Sequence, residues 1–122
     1  MSEHLVPTPD EGHMWRIGPA GRIERTNDGG KTWDAQSSGA SEDLTSGSAP
    51  SDQVCWVAGN TGTLLFTQDG GKHWKRVTVP FAEDLGGVRA SDAAHALIWD
   101  VANHQRFQTG DGGVTWTRSE KP

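Results

Sequence analysis

One eight-residue motif recurs three times, and it constrains the fold more than any other feature of the chain. Thr26-Asn27-Asp28-Gly29-Gly30-Lys31-Thr32-Trp33 returns as Thr67-Gln68-Asp69-Gly70-Gly71-Lys72-His73-Trp74 and again as Thr109-Gly110-Asp111-Gly112-Gly113-Val114-Thr115-Trp116. The aspartates lie 41 and then 42 residues apart. The repeat extends upstream. Trp15 and Trp56 each precede the motif tryptophan by 18 residues, Gly18 and Gly21 answer to Gly59 and Gly62, and Glu42-Asp43-Leu44 reappears as Glu83-Asp84-Leu85. The third copy is looser, with Leu97-Ile98-Trp99 shifted by about one residue. A fixed period of this length marks one supersecondary unit stacked in an array, each copy burying its apolar face against its neighbours.

Between the motifs the sequence reads as short strands. In the middle copy these are Gln53–Ala58, Thr63–Thr67 and His73–Val79, separated by the turn Gly59-Asn60-Thr61-Gly62 and by Asp69-Gly70-Gly71. A fourth strand is expected at Leu44–Ala49, after a Ser- and Gly-rich loop that begins at Ser37. The other copies predict strands at Met14–Ile17, Arg22–Thr26, Thr32–Gln36, Val88–Ala90, Ala94–Trp99, Gln105–Thr109 and Thr115–Arg118. No segment has a helical period. Four antiparallel strands per unit of about 41 residues is the size of a β-propeller blade. The fold expectation is therefore all-β: one propeller-type domain over residues 1–122, with repeats at about 1–37, 38–79 and 80–122.

Each motif reads as a hairpin turn with its own fastening. Aspartate accepts hydrogen bonds from turn N–H groups, and the threonine hydroxyl satisfies a further local group. The two glycines admit backbone angles closed to other residues. The tryptophan is expected two or three residues into the next strand, packing across the hairpin. Fifteen residues carry this structural role: Thr26, Asp28, Gly29, Gly30, Trp33, Thr67, Asp69, Gly70, Gly71, Trp74, Thr109, Asp111, Gly112, Gly113 and Trp116. A calcium loop would need more oxygen ligands and a terminal bidentate acid, which the motif lacks.

T-x-D-G-G-x-T-W resembles the Asp box, or BNR motif, of sialidases, sortilin-type receptors, some endoglucanases and photosystem II assembly factors of the Ycf48 type. The longer run from Cys55-Trp56-Val57-Ala58-Gly59-Asn60 to Trp74 is most similar to the Ycf48-like group. That resemblance implies a propeller whose boxes sit at blade edges, away from any active site, and a non-catalytic role in assembling proteins. It also implies a bacterial or photosynthetic source, and an extracytoplasmic setting if the chain belongs to a membrane-anchored parent.

Residue chemistry points the same way. A sialidase needs a tyrosine nucleophile, and the chain has no tyrosine. The acidic pairs Glu42-Asp43 and Glu83-Asp84 occupy one repeat position, as a loop or structural feature would. His4, His13, His73, His95 and His104 have no metal-ligand spacing, so no metal or cofactor is expected. Cys55, the single cysteine, sits in an apolar run and reads as a small buried hydrophobe. A net charge of −5 without a basic cluster argues against nucleic acid. No apolar run is long enough for a membrane helix, and the N-terminus lacks the basic and apolar regions of a signal peptide. What remains is a binding surface for a protein partner, expected at the loops Ala40–Asp43, Phe81–Gly87 and Val101–His104. The alternative is a sugar-binding or glycosidase-related propeller. Three blades leave a ring unclosed, because rings typically have four to eight. The expected remedies are a head-to-tail homodimer of six blades or membership of a larger propeller.

Overall fold

The structure, a computed structural model, describes residues 4–10, 12–102 and 105–119, and its strands form three four-stranded antiparallel sheets. The first contains β1 (His4–Pro7), β2 (Met14–Ile17), β3 (Ile23–Thr26) and β4 (Asp34–Gln36). The second contains β5 (Leu44–Ser48), β6 (Cys55–Gly59), β7 (Leu64–Thr67) and β8 (Lys75–Arg76). The third contains β9 (Leu85–Ala90), β10 (Ala96–Asp100), β11 (Arg106–Thr109) and β12 (Thr117–Arg118). Strands pair in sequence order within each sheet. The first strands, β1, β5 and β9, pack against one another in turn and form the inner side of an arc. The chain is a partial β-propeller.

Burial patterns show why the strands lie as they do. Side chains along a strand alternate between faces. On β2 and β10 one face is buried and the other half-exposed, whereas every residue of β6 and β7 is buried. The middle sheet is thus covered on both sides. One core, around Trp15, Ile17, Ile23, Leu44, Val57 and Leu65, joins the first two sheets. A second, around Trp56, Leu64, Phe66, Val88 and Ile98, joins the last two.

The structure differs from the sequence expectation in three places. β1 was not anticipated, because His4–Pro7 carries one inward apolar residue, Val6. The outer strands are shorter than expected: β8 spans only Lys75–Arg76, and Trp33, Trp74 and Trp116 precede their strands instead of lying inside them. The strand expected after the Ser37 loop, by contrast, is present as β5, which starts at Leu44. Trp99 is not the counterpart of Trp15 and Trp56. Those residues stand opposite Arg25 and Phe66, just before the motif threonine, and the third-sheet residue in that place is Leu97, opposite Gln108. His104 lies outside the described residues.

Candidate functional site

Three nearly identical hairpins line one rim of the arc, built from local hydrogen bonds. In each, the threonine hydroxyl donates to the aspartate Oδ1 at 2.7 Å: Thr26 to Asp28, Thr67 to Asp69 and Thr109 to Asp111. The same hydroxyl accepts the N–H of the second glycine, from Gly30 and Gly71 at 3.0 Å and from Gly113 at 2.9 Å. Each aspartate also accepts the N–H four residues on, from Thr32, His73 and Thr115. Its second oxygen is occupied as well. Asp28 and Asp111 accept the Thr32 and Thr115 hydroxyls at 2.6 Å, and Asp69 meets His73 Nδ1 at 2.7 Å. Both oxygens of all three carboxylates are therefore engaged by the hairpin itself. The first glycine of each motif donates to the neighbouring β1–β2-type turn: Gly29 to Gly12 O, Gly70 to Gln53 O and Gly112 to Ala94 O.

These bonds set the protonation behaviour. The Thr32 and His73 side chains, with their backbone N–H groups, hold Asp28 and Asp69 well below the usual carboxylate range. The Thr115 hydroxyl and N–H lower Asp111 to about 2. A depressed folded-state pKa contributes stability at pH above the unfolded value, near about 3.9, and loses it as pH falls through the folded value. The melting temperature is expected to be level above about pH 5 and to decline from about pH 4 towards 2. Asp111→Asn is expected to flatten part of that decline in a pH series of thermal melts.

The tryptophans do more than cover their own hairpins. Trp74 Nε1 donates to Gln36 Oε1 of the preceding sheet at 3.0 Å, and Trp116 Nε1 to Thr78 O at 2.9 Å. Gln36 Oε1 also accepts Trp15 Nε1 at 3.1 Å, and Gln36 Nε2 donates to Gly70 O at 3.1 Å. Trp15 and Trp74 meet edge to face, 6.2 Å between centroids. Trp33 stays with its own sheet, beneath the Arg16 guanidinium. The motif thus fastens one blade to the next, a role that single-copy reading of the sequence missed.

The opposite rim holds the acidic pairs, and there they act as stitches. Asp43 Oδ1 accepts the Ala20 N–H at 2.9 Å, and Asp84 Oδ1 accepts the Thr61 N–H at 2.7 Å. Ala20 and Thr61 each sit in a left-handed turn at φ 59°. The connection to each following sheet therefore pins the strained turn of the sheet before it. Glu42 pairs with Arg76 Nη2 at 3.0 Å. Leu44 and Leu85, next in sequence, are buried. The loops Ala40–Asp43, Phe81–Gly87 and the described part of Val101–His104 lie together on this rim, where Val101 is 67% exposed.

The remaining candidates resolve simply. Cys55 is fully buried and burial pushes its thiol up, so it packs as a small apolar residue. Asp10, His13 and Asp52 approach within 4.8 Å of one another on the motif rim, a grouping invisible in sequence because Asp52 comes from the next blade. His13 Nδ1 and Asp10 Oδ2 lie 2.9 Å apart.

The sheets, hairpins and stitches define a partial propeller of BNR type. A family model described as photosynthesis system II assembly factor YCF48 matches residues 5–119, and the chain belongs to that family. No curated protein matches the sequence. A structure of YCF48 bound to D1 peptide superposes with a TM-score of 0.80 at 21% identity, over 96% of this chain and 42% of that one. YCF48 from Cyanidioschyzon merolae gives 0.77 at 25% identity, over 97% and 40%. An ancestral GH74 enzyme gives 0.70 at 14% identity, over 99% of this chain but 18% of its own, and shows a shared fold alone. The chain thus spans about two fifths of the length of these YCF48 structures.

Proposed function

We propose that the chain is a non-catalytic protein-interaction module in which the Asp boxes are fasteners and the stitched rim meets the partner. One observation carries this: both oxygens of Asp28, Asp69 and Asp111 are consumed within their own hairpins, so the motif acids are not available for acid–base work. The family's description as an assembly factor and the peptide-bound state of one structural relative support the reading. The contact surface is the rim of Ala40–Asp43, Phe81–Gly87 and Val101, where an exposed valine stands among acidic side chains. The half-buried tryptophans Trp74 and Trp116 point between blades and not outward, which disfavours sugar stacking. Probing the folded chain on a peptide array and a glycan array tests this. Peptide binding that weakens about tenfold in Val101→Asp, with the fold intact by circular dichroism, is the expected result. Selective glycan binding would replace this reading with the sugar-binding alternative.

A further inference from the structure

The chain contains three Asp–Gly bonds, and all of them lie in the repeated motif: Asp28–Gly29, Asp69–Gly70 and Asp111–Gly112. Such a bond carries a chemical hazard. The glycine nitrogen, with no side chain beside it, can close on the aspartate Cγ. It gives its proton to a solvent base, the N–Cγ bond forms, and one carboxyl oxygen departs as water, leaving a five-membered imide. Water then opens the imide at one of its two carbonyls. One opening returns aspartate. The other leaves isoaspartate, with the backbone rerouted through Cβ and Cγ and the carboxylate left on Cα. No co-reactant other than water is needed.

Burial does not protect these sites: Asp28 and Asp111 are exposed and Asp69 is half-buried, so water and base are at hand. Hydrogen bonding opposes the reaction instead. Either carboxyl oxygen departs only by giving up hairpin bonds. Asp69 Oδ1 accepts the Thr67 hydroxyl at 2.7 Å and the His73 N–H at 3.0 Å, and Oδ2 meets His73 Nδ1 at 2.7 Å. Asp28 is held in the same way by Thr26 and Thr32, and Asp111 by Thr109 and Thr115. The attacking nitrogen is engaged as well. Gly29, Gly70 and Gly112 donate their N–H groups to Gly12 O, Gln53 O and Ala94 O at 3.1, 2.9 and 3.0 Å. Each nitrogen is freed only when its hairpin parts from that turn. The same bonds keep the carboxyl groups ionised, and a carboxylate is a poor electrophile.

We infer that Asp28, Asp69 and Asp111 are latent isoaspartate sites, shielded by the hydrogen bonds of their own hairpins and modified when a hairpin opens. Local opening of a surface hairpin costs less than global unfolding, so it gates the reaction. The product cannot refasten. One extra backbone atom lengthens the path from Asp69 to Gly71 and His73, and the displaced carboxylate no longer registers with the groups two to four residues away that held it. Modification therefore turns a transient opening into a permanent loss. At Asp69 the damage reaches the first sheet, because Gly70 O accepts from Gln36 Nε2.

Isoaspartate at each site, read by peptide mapping of the full chain after incubation at neutral pH, tests the inference. In native buffer each site is expected to isomerise at least about tenfold more slowly than in the same chain held unfolded in urea, because the hairpin is rarely open. Equal rates in the two conditions overturn the inference. Thr67→Val keeps the shape of the side chain and removes the hydroxyl bonds to Asp69 and Gly71. In this variant isoaspartate at Asp69 is expected to rise about tenfold above that at Asp28 and Asp111 of the same molecules. A folded variant with an unchanged rate at Asp69, or with all three sites rising together, overturns the inference as well. If the variant fails to fold, the comparison of native and unfolded wild type decides alone.

Discussion

Gly71→Ala is expected to destabilise the protein by about 3–5 kcal/mol, while Gly30→Ala, the same substitution at the matching place on the first sheet, costs about 1–2 kcal/mol. Both glycines hold positive φ, 90° at Gly71 and 97° at Gly30, so both substitutions force an L-residue into left-handed backbone. The difference lies in what the methyl meets. At Gly71 it collides with the Gln36 amide, which is not a free side-chain end. Gln36 Oε1 accepts from Trp15 and Trp74, and Nε2 donates to Gly70 O. Moving that amide breaks three hydrogen bonds, two of them across the first blade interface, each worth about 1 kcal/mol. At Gly30, among the described residues, the methyl meets only the edge of the Trp33 ring at 3.7 Å. Urea unfolding of the two variants measures the difference, and equal losses would refute the role assigned to Gln36.

Trp56→Ala is expected to cost about 3–5 kcal/mol, the range for emptying a large aromatic site in a packed core. Trp56 is fully buried, packs 4.5 Å from the Phe66 ring and donates from Nε1 to Asp92 O of the third sheet at 3.2 Å. Its loss removes core volume and a tie between blades together. A domain of this size has about 5–15 kcal/mol of total stability, so the variant is expected to melt well below the wild type. Because the lost contacts join the second and third sheets, amide exchange should rise first in β9–β12. Leu97→Ala, at the matching place on the third sheet, is half-exposed and is expected to cost about 1 kcal/mol. A Trp56 variant with an unchanged urea midpoint would refute this assignment.

Together these substitutions separate two kinds of bond in the motif. The bonds from Thr67 to Asp69 and onward to Gly71 and His73 span at most four residues. The bonds through Gln36, Trp74 and Trp116 cross between blades. Gln36 falls just beyond the first motif and has Val77 as its counterpart in the second copy. Comparison of the repeats therefore passed over it, although its amide is the hub of the first interface. The acidic pairs Glu42-Asp43 and Glu83-Asp84 were legible as a repeated position. The donors that Asp43 and Asp84 accept from became definite only when the turns at Ala20 and Thr61 were in place.

The sequence by itself determined three blades, their all-β character and the internal chemistry of each hairpin. Those features depend on interactions within a few residues, so spacing and residue type suffice to specify them. The tertiary structure decided which side chains share a face. A tryptophan near the expected position led to Trp99, yet one extra residue between Asp100 and Arg106 leaves Leu97 in the place of Trp15 and Trp56. Face assignment alternates with every residue along a strand, so it depends on pairing register and not on residue identity. For that reason the blade count was plain from the repeat, while the replacement of the apolar pair Val57–Leu65 by the ion pair Arg16–Glu24 on the first sheet emerged only once the register was known.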